Sequence, residues 1–266
     1  DHRDLHRLIR RQRQMCIRDS HTYDEVLSEM ETIVSLYPEI CYVGTLGVST
    51  RDSLPIIGVK LSDNASIDED ESIILFVGGQ HAREPAGSEV AMWMINYLTE
   101  NYGIDDDVTE WLDSLEVWII PVANPEGRQV CMTEGPQHTH WWRKNKRDND
   151  ENGVFDTLFD GVDLNRNYDF KWDECIDSIS IYPGAEEYKG PYPWSENEVV
   201  IIRDFIDKHR PVAVLDLHSP DSCGGNKLWF CWYDFDEGEY HSEGYPHYAQ
   251  VASYLADELE TEITGE

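Results

Sequence analysis

The sequence predicts an α/β fold: a single domain on a mixed, largely parallel sheet flanked by helices. Three observations predict it. Short apolar runs at 73–77, 116–122 and 212–217 read as buried strands. Segments between them carry apolar residues at helical spacing, so helices and strands alternate. Finally, 266 residues with 40% hydrophobic and 11% aromatic content are enough for one sizeable core.

The elements follow in order. Tyr23, Val26, Leu27, Met30, Ile33, Val34 and Tyr37 recur at helical spacing, and Pro38 stops that helix. Residues 41–47 and 55–61 read as a strand pair joined by the polar turn Ser49–Ser53. An acidic, solvated loop spans 63–72, and the strand at 73–77 then ends in Gly78-Gly79. Val90, Trp93, Met94, Tyr97 and Leu98 mark the apolar face of the next helix. The strand at 116–122 runs into Ala123-Asn124-Pro125-Glu126-Gly127. Residues 131–194, rich in Gly, Pro, Asp and Asn, read as a long irregular stretch, which inside a compact domain is usually functional. Ser195 and Glu198 have capping-box spacing and open a helix burying Val199, Ile202, Phe205 and Ile206. After the strand at 212–217 come a Gly-rich turn, a strand at 228–233 and a last helix through Tyr248, Val251, Tyr254 and Leu255.

Two of those strands end in histidine motifs: Gly78-Gly79-Gln80-His81-Ala82-Arg83-Glu84-Pro85 and Asp216-Leu217-His218-Ser219. The chain holds ten histidines, so one His-x-x-Glu spacing is expected by chance and its weight comes from the setting. In open α/β sheets ligands collect beyond the carboxyl ends of strands. Two histidines and a glutamate there suit a catalytic zinc ion, which takes three protein ligands and keeps a fourth position open. Asp163 is a further carboxylate that the residues alone leave open as a ligand.

Two more segments stand between these motifs, Trp142-Arg143-Lys144-Asn145 and Gly161-Val162-Asp163-Leu164-Asn165-Arg166-Asn167-Tyr168. In this order the four blocks resemble the carboxypeptidase A-type zinc peptidases from about residue 78 to 219, with a weaker likeness upstream from Tyr23 to Val59. The resemblance implies zinc ligation by His81, Glu84 and His218, with Asp163 outside the ligand set. It implies that Asn165 and Arg166 hold the free C-terminal carboxylate of a peptide or protein, and that Arg83 helps bind substrate. A guanidinium fork suits that task because it meets a carboxylate bidentately. The family also uses an arginine after Trp-Arg-Lys-x to stabilise the developing oxyanion; here Lys146 stands at that position and Arg147 follows, so one of the two is expected in the role. A mobile Tyr and a general-base Glu are expected well beyond the His-Ser motif. Only 48 residues follow His218 and none matches, so the catalytic domain, residues 21–266, is expected to be incomplete at its C-terminus and weakly active or inactive as it stands.

Alternatives remain: an inactive relative that binds zinc or peptides, a cell-wall peptide hydrolase or deacylase on the same scaffold, and a binding domain without metal. Asp148, Asp150, Asn152 and Gly153 resemble the first half of a calcium loop. Phe159 occupies the twelfth position, where a glutamate would complete it, so a solvated acidic turn is preferred and a structural Ca²⁺ is the alternative.

Composition narrows the partners. Twenty-one basic against 53 acidic residues give a formal charge of −32, which argues against nucleic acid and anionic membranes and suits a salty setting or simply a soluble acidic surface. No apolar run approaches the length of a membrane span. A monomer is expected, and the resemblance implies an extracellular location. Residues 1–20 hold six Arg and three Asp, unlike the acidic remainder, and read as a non-native leader. Outside it, Cys41, Cys131, Cys175, Cys223 and Cys231 form neither a disulfide framework nor a zinc knuckle and read as free thiols.

Overall fold

A computed structural model describes residues 20–132, 139–174 and 180–219, with short pieces at 233–234, 239–240, 250 and 253–254. Helix α1 (Tyr23–Leu36) begins with a capping box: the Thr22 hydroxyl accepts from the Glu25 amide at 3.2 Å, and the Thr22 amide donates to the Glu25 carboxylate at 2.8 Å. It stops at Tyr37, just before Pro38, and buries Tyr23, Val26, Met30 and Ile33 as the spacing predicts.

Strands β1 (Cys41–Val48) and β2 (Pro55–Leu61) form the expected antiparallel pair, with an irregularity between Thr45 and Gly47. Strand β3 (Ser72–Gly78) runs parallel to both β4 (Leu115–Ile120) and β5 (Ala213–Leu217), while β4 runs antiparallel to β2. The sheet is therefore mixed, in the order β1-β2-β4-β3-β5.

Alternation along the strands splits the core in two. Ile57, Val59 and Leu61 of β2 and Val117 and Ile119 of β4 pack with α1, α2 (Pro85–Asn101) and α3 (Asp106–Leu112). Ile73, Leu75, Val77, Trp118 and Ile120 pack with Ile202 and Phe205 of α5 (Asn197–His209). Truncating a fully buried residue such as Leu75 to Ala should cost about 2–5 kcal/mol. Helix α3, capped by the Asp105 side chain, and α4 (Pro125–Met132) were not expected from the sequence.

Helix α2 turns a different face inward from the one its hydrophobic residues suggest. Val90 and Trp93 are exposed, Met94 and Tyr97 are only partly buried, and Ser88, Ala91, Met92, Ile95 and Leu98 face the core. The reason is distance. A Cβ on Gly87 would lie 2.2 Å from the Leu217 carbonyl oxygen, so the helix start sits almost against β5 and only small residues fit.

Helix α5 departs from its expected cap. Glu196, not Ser195, is the N-cap residue, and its side chain makes no capping bond. Thr50, in the β1–β2 turn, supplies the cap: its hydroxyl accepts from the Asn197 amide at 2.9 Å and donates to Glu198. The strand expected at 228–233 lies outside the described residues except for Tyr233, in β6 (Tyr233–Asp234), which pairs with β7 (Glu239–Tyr240). Of the last helix's apolar positions only Tyr254 is described. Among the described cysteines, Cys41 and Cys131 are buried free thiols, pushed up by burial to about 12 and about 11.

Candidate metal centre

Parallel pairing places Gly78 beside Leu217, so the chain leaves β3 and β5 at the same edge. Gly79, at φ +66°, makes the bend after β3, where any side chain would meet Ser88. A tight turn follows, closed by the Glu84 amide donating to the His81 carbonyl at 3.1 Å, and Pro85 starts α2. Glu84 is the N-cap residue, yet its side chain makes no cap bond and points instead toward the two histidines.

The three groups converge. His81 Nδ1 is 3.0 Å from Glu84 Oε1, and His218 Nδ1 is 2.9 Å from Glu84 Oε2. The ring centroids are 4.7 Å apart. One nitrogen or oxygen from each residue lies within 4.8 Å of the others. Each imidazole meets a second carboxylate through its other nitrogen: His81 Nε2 is 3.1 Å from Asp163 Oδ1, and His218 Nε2 is 2.9 Å from Asp216 Oδ2.

The donor chemistry fits zinc. Two imidazoles and a carboxylate form a common zinc set, and a carboxylate on the far ring nitrogen is the usual way a ligating histidine is oriented. Asp163 and Asp216 leave both Nδ1 atoms directed at Glu84, where a cation can replace the protons they share with it. The electrostatics agree. Burial alone would lower His218, but Asp216 and Glu84 outweigh it and push the group up to about 10. Burial would raise Glu84, yet hydrogen bonds from His218 and His81 hold it well below the usual carboxylate range. Asp163, also opposed by burial, is drawn down to about 2 by His81 and by the charges of Arg143 and Arg166.

The cation beside this cluster is Arg143. Its Nε donates to Asp163 Oδ2 at 2.8 Å, and its Nη1 lies 3.6 Å from Glu84 Oε1. The expected Lys146 and Arg147 are engaged elsewhere: the Lys146 ammonium pairs with Asp52, and Arg147 Nη1 donates to the buried Glu196 at 3.0 Å. The chain between Arg143 and Arg147 is pinned by buried groups, so successive side chains are committed to different partners. The Asn124 amide donates to the Gln80 and Lys144 carbonyls at 3.1 and 3.2 Å, and the Asn145 side-chain oxygen accepts from the Arg147 and Val162 amides. Of the cations in and after the Trp-Arg-Lys segment, Arg143 lies against the cluster, while Lys146 and Arg147 are paired with other carboxylates.

The residues expected to meet substrate lie along Asp163–Arg166 and at Arg83. Asn165 is exposed and donates its amide to Asp163 Oδ1 at 3.0 Å. Arg166 is partly exposed, 3.8 Å from Glu187. Arg83 donates to Glu186 at 2.8 Å and to the Trp141 carbonyl at 3.3 Å. The calcium alternative gains no support. The Asn152 oxygen accepts from the Val154 amide, its amino group donates to Asp150, and Asp148 accepts from the Gly153 amide at 2.8 Å, so the loop satisfies itself as an acidic turn.

Comparison with known proteins settles the lineage. A family model described as zinc carboxypeptidase matches residues 26–265. The chain belongs to the zinc carboxypeptidase family. Carboxypeptidase A2 of Rattus norvegicus is 34% identical over 200 residues, which cover 75% of this chain and 44% of that protein. Carboxypeptidase B of Astacus astacus is 31% identical over 186 residues, 70% of this chain and 56% of that one. The chain thus spans about half the length of the curated relatives it matches. Among solved structures, thrombin activatable fibrinolysis inhibitor superposes with a TM-score of 0.75 at 23% identity, over 94% of this chain and 58% of that one. Carboxypeptidase A from Helicoverpa armigera gives 0.65 at 26% identity, over 76% of this chain and 46% of that one. These neighbours share the fold described above. Within the described residues, no helix is long and apolar enough to cross a membrane.

Proposed function

We propose that this chain carries the zinc-binding part of a metallocarboxypeptidase, which hydrolyses the C-terminal peptide bond of peptides or proteins. The single observation that carries the reading is Glu84 held between two Nδ1 atoms, with the opposite nitrogen of each imidazole on a carboxylate. Zinc held there would supply a Lewis acid for the scissile carbonyl and lower the pKa of water.

The chain's own residues do the rest. Asp163 fixes His81 through one oxygen and Arg143 through the other, setting a ligand and a positive charge in one frame. Arg143 is assigned the oxyanion-stabilising part, in place of Lys146 or Arg147, because among the described residues its guanidinium lies 3.6 Å from Glu84 and donates to Asp163. One such donor contributes about 3–4 kcal/mol to the transition state. Arg166 and Asn165, with Arg83, are assigned to the terminal carboxylate, because they flank Asp163 and the histidine turn and a guanidinium pairs with carboxylate bidentately.

Metal analysis of the purified chain tests this. One equivalent of zinc is expected in the wild type, and a large loss in His81→Ala and His218→Ala. Full retention in both variants would remove the site.

A further inference from the structure

The two arginines assigned to substrate already face carboxylates of the chain itself. Arg83 Nη1 donates to Glu186 at 2.8 Å, and Arg166 Nη2 lies 3.8 Å from Glu187. The glutamates are adjacent in sequence, on the segment 180–190, and well exposed: 62% for the Glu186 side chain and 47% for Glu187. Their backbone is tied on both sides. The Lys144 ammonium donates to the Pro183 carbonyl at 2.8 Å, the Lys189 amide to Ser180 at 2.9 Å, and the Asp163 amide to Tyr188 at 2.8 Å. The last tie fixes Glu187, one residue before Tyr188, relative to Arg166, three residues after Asp163.

Resting on the reading above, we infer that Glu187 is an internal competitor for the substrate's terminal carboxylate, with Glu186 beside it as the anchor of Arg83. They hold the two guanidiniums in place before substrate arrives. The incoming carboxylate then exchanges with Glu187 at Arg166, the looser pair and the more exposed guanidinium (35% against 10% for Arg83), while the closer Glu186 pair keeps Arg83 oriented. Because an acid is replaced by an acid, net binding of the terminus is weaker than an unpaired arginine would give. Displaced and incoming carboxylates also repel, so the penalty falls on free acids and not on neutral termini. An exposed ion pair of this kind shifts binding only about two- to fivefold, so the device tunes affinity and does not block the site.

The test uses the zinc-loaded chain and its Glu187→Gln variant, an exposed, isosteric change. Calorimetric binding is measured for N-acetyl-phenylalanine, N-acetyl-leucine and N-acetyl-arginine, each against its C-terminal amide. The acids should bind Glu187→Gln about two- to fivefold more tightly than wild type, with the amides unchanged. Acids preferred by the wild type but bound equally or more weakly by the variant overturn the inference and leave the carboxypeptidase reading standing. Acids bound no better than amides by both proteins overturn both. Acid preference that emerges only in Glu187→Gln supports the inference in its strongest form.

Discussion

Replacing Glu198 by Gln should change the pH dependence of stability. The Glu198 carboxylate is fully buried at the start of α5. It accepts from the Thr50 amide at 3.2 Å and from the Thr50 hydroxyl, with the Asn145 amide at 3.5 Å. Its surroundings are acidic, with Glu126 and Glu196 also fully buried, and Arg147 is already committed to Glu196. Burial, then the charge of Glu126, pushes Glu198 from 4.5 up to about 7; Thr50 opposes this and Glu196 adds to it. The sign follows from linkage. Below about 4.5 the group is protonated in both states, and no penalty applies. Between 4.5 and about 7 the folded state holds a proton that the unfolded state has lost, so stability falls as pH rises; above about 7 the full penalty stands. The shift corresponds to about 3 kcal/mol as an upper figure. Glu198→Gln is therefore expected to melt above wild type at pH 8, by several degrees at about 2–4 °C per kcal/mol, and to lose that advantage near pH 4.5. Thermal unfolding of both proteins at fixed ionic strength isolates the effect, because repulsion from the −32 charge is nearly common to them. An identical difference in melting temperature at pH 4.5 and pH 8 would refute the reasoning.

Two further outcomes follow from the proposed zinc site. Asp163→Asn removes the carboxylate that orients His81, and zinc affinity, measured by competition with a chromophoric chelator, should fall about 10- to 100-fold; unchanged affinity would show that Asp163 does not orient the ligand. Arg143→Ala should lower kcat/KM about 100- to 1,000-fold with zinc retained, whereas Lys146→Ala should change it little; the reverse order would return the oxyanion role to Lys146.

The convergence of His81, Glu84 and His218 was legible because the two histidines follow strands with a plain signal. Both runs form strands, although β5, expected to be buried, is an edge strand among the described residues, with Val214 and the preceding Val212 exposed, and neighbouring parallel strands put their ends at one edge. The sequence also carried the acidic turn. It did not carry which cation reaches the cluster. Arg143, Lys144, Lys146 and Arg147 are chemically similar over five positions, and their assignment depends on Asn124 and Asn145 gripping the backbone between them. The cap of α5 was hidden for a related reason: Thr50, remote in sequence, displaced the local Ser195–Glu198 pairing.

The misread face of α2 reveals more about how the site is built. Periodicity ranks residues by hydrophobicity, and by that measure Trp93 and Val90 belong inside. The site instead requires Glu84 to reach His218, which brings the helix start within one glycine of β5. At that distance size outranks hydrophobicity: Gly87, Ser88 and Ala91 go inward, and Trp93 stacks on Tyr97 at 5.0 Å at the surface. Close approach of helix and strand is therefore part of what brings Glu84 to His218. A larger side chain at Gly87 should push α2 from Leu217 and separate Glu84 from His218, although residue 87 itself touches neither ligand in the hydrogen-bond network around them.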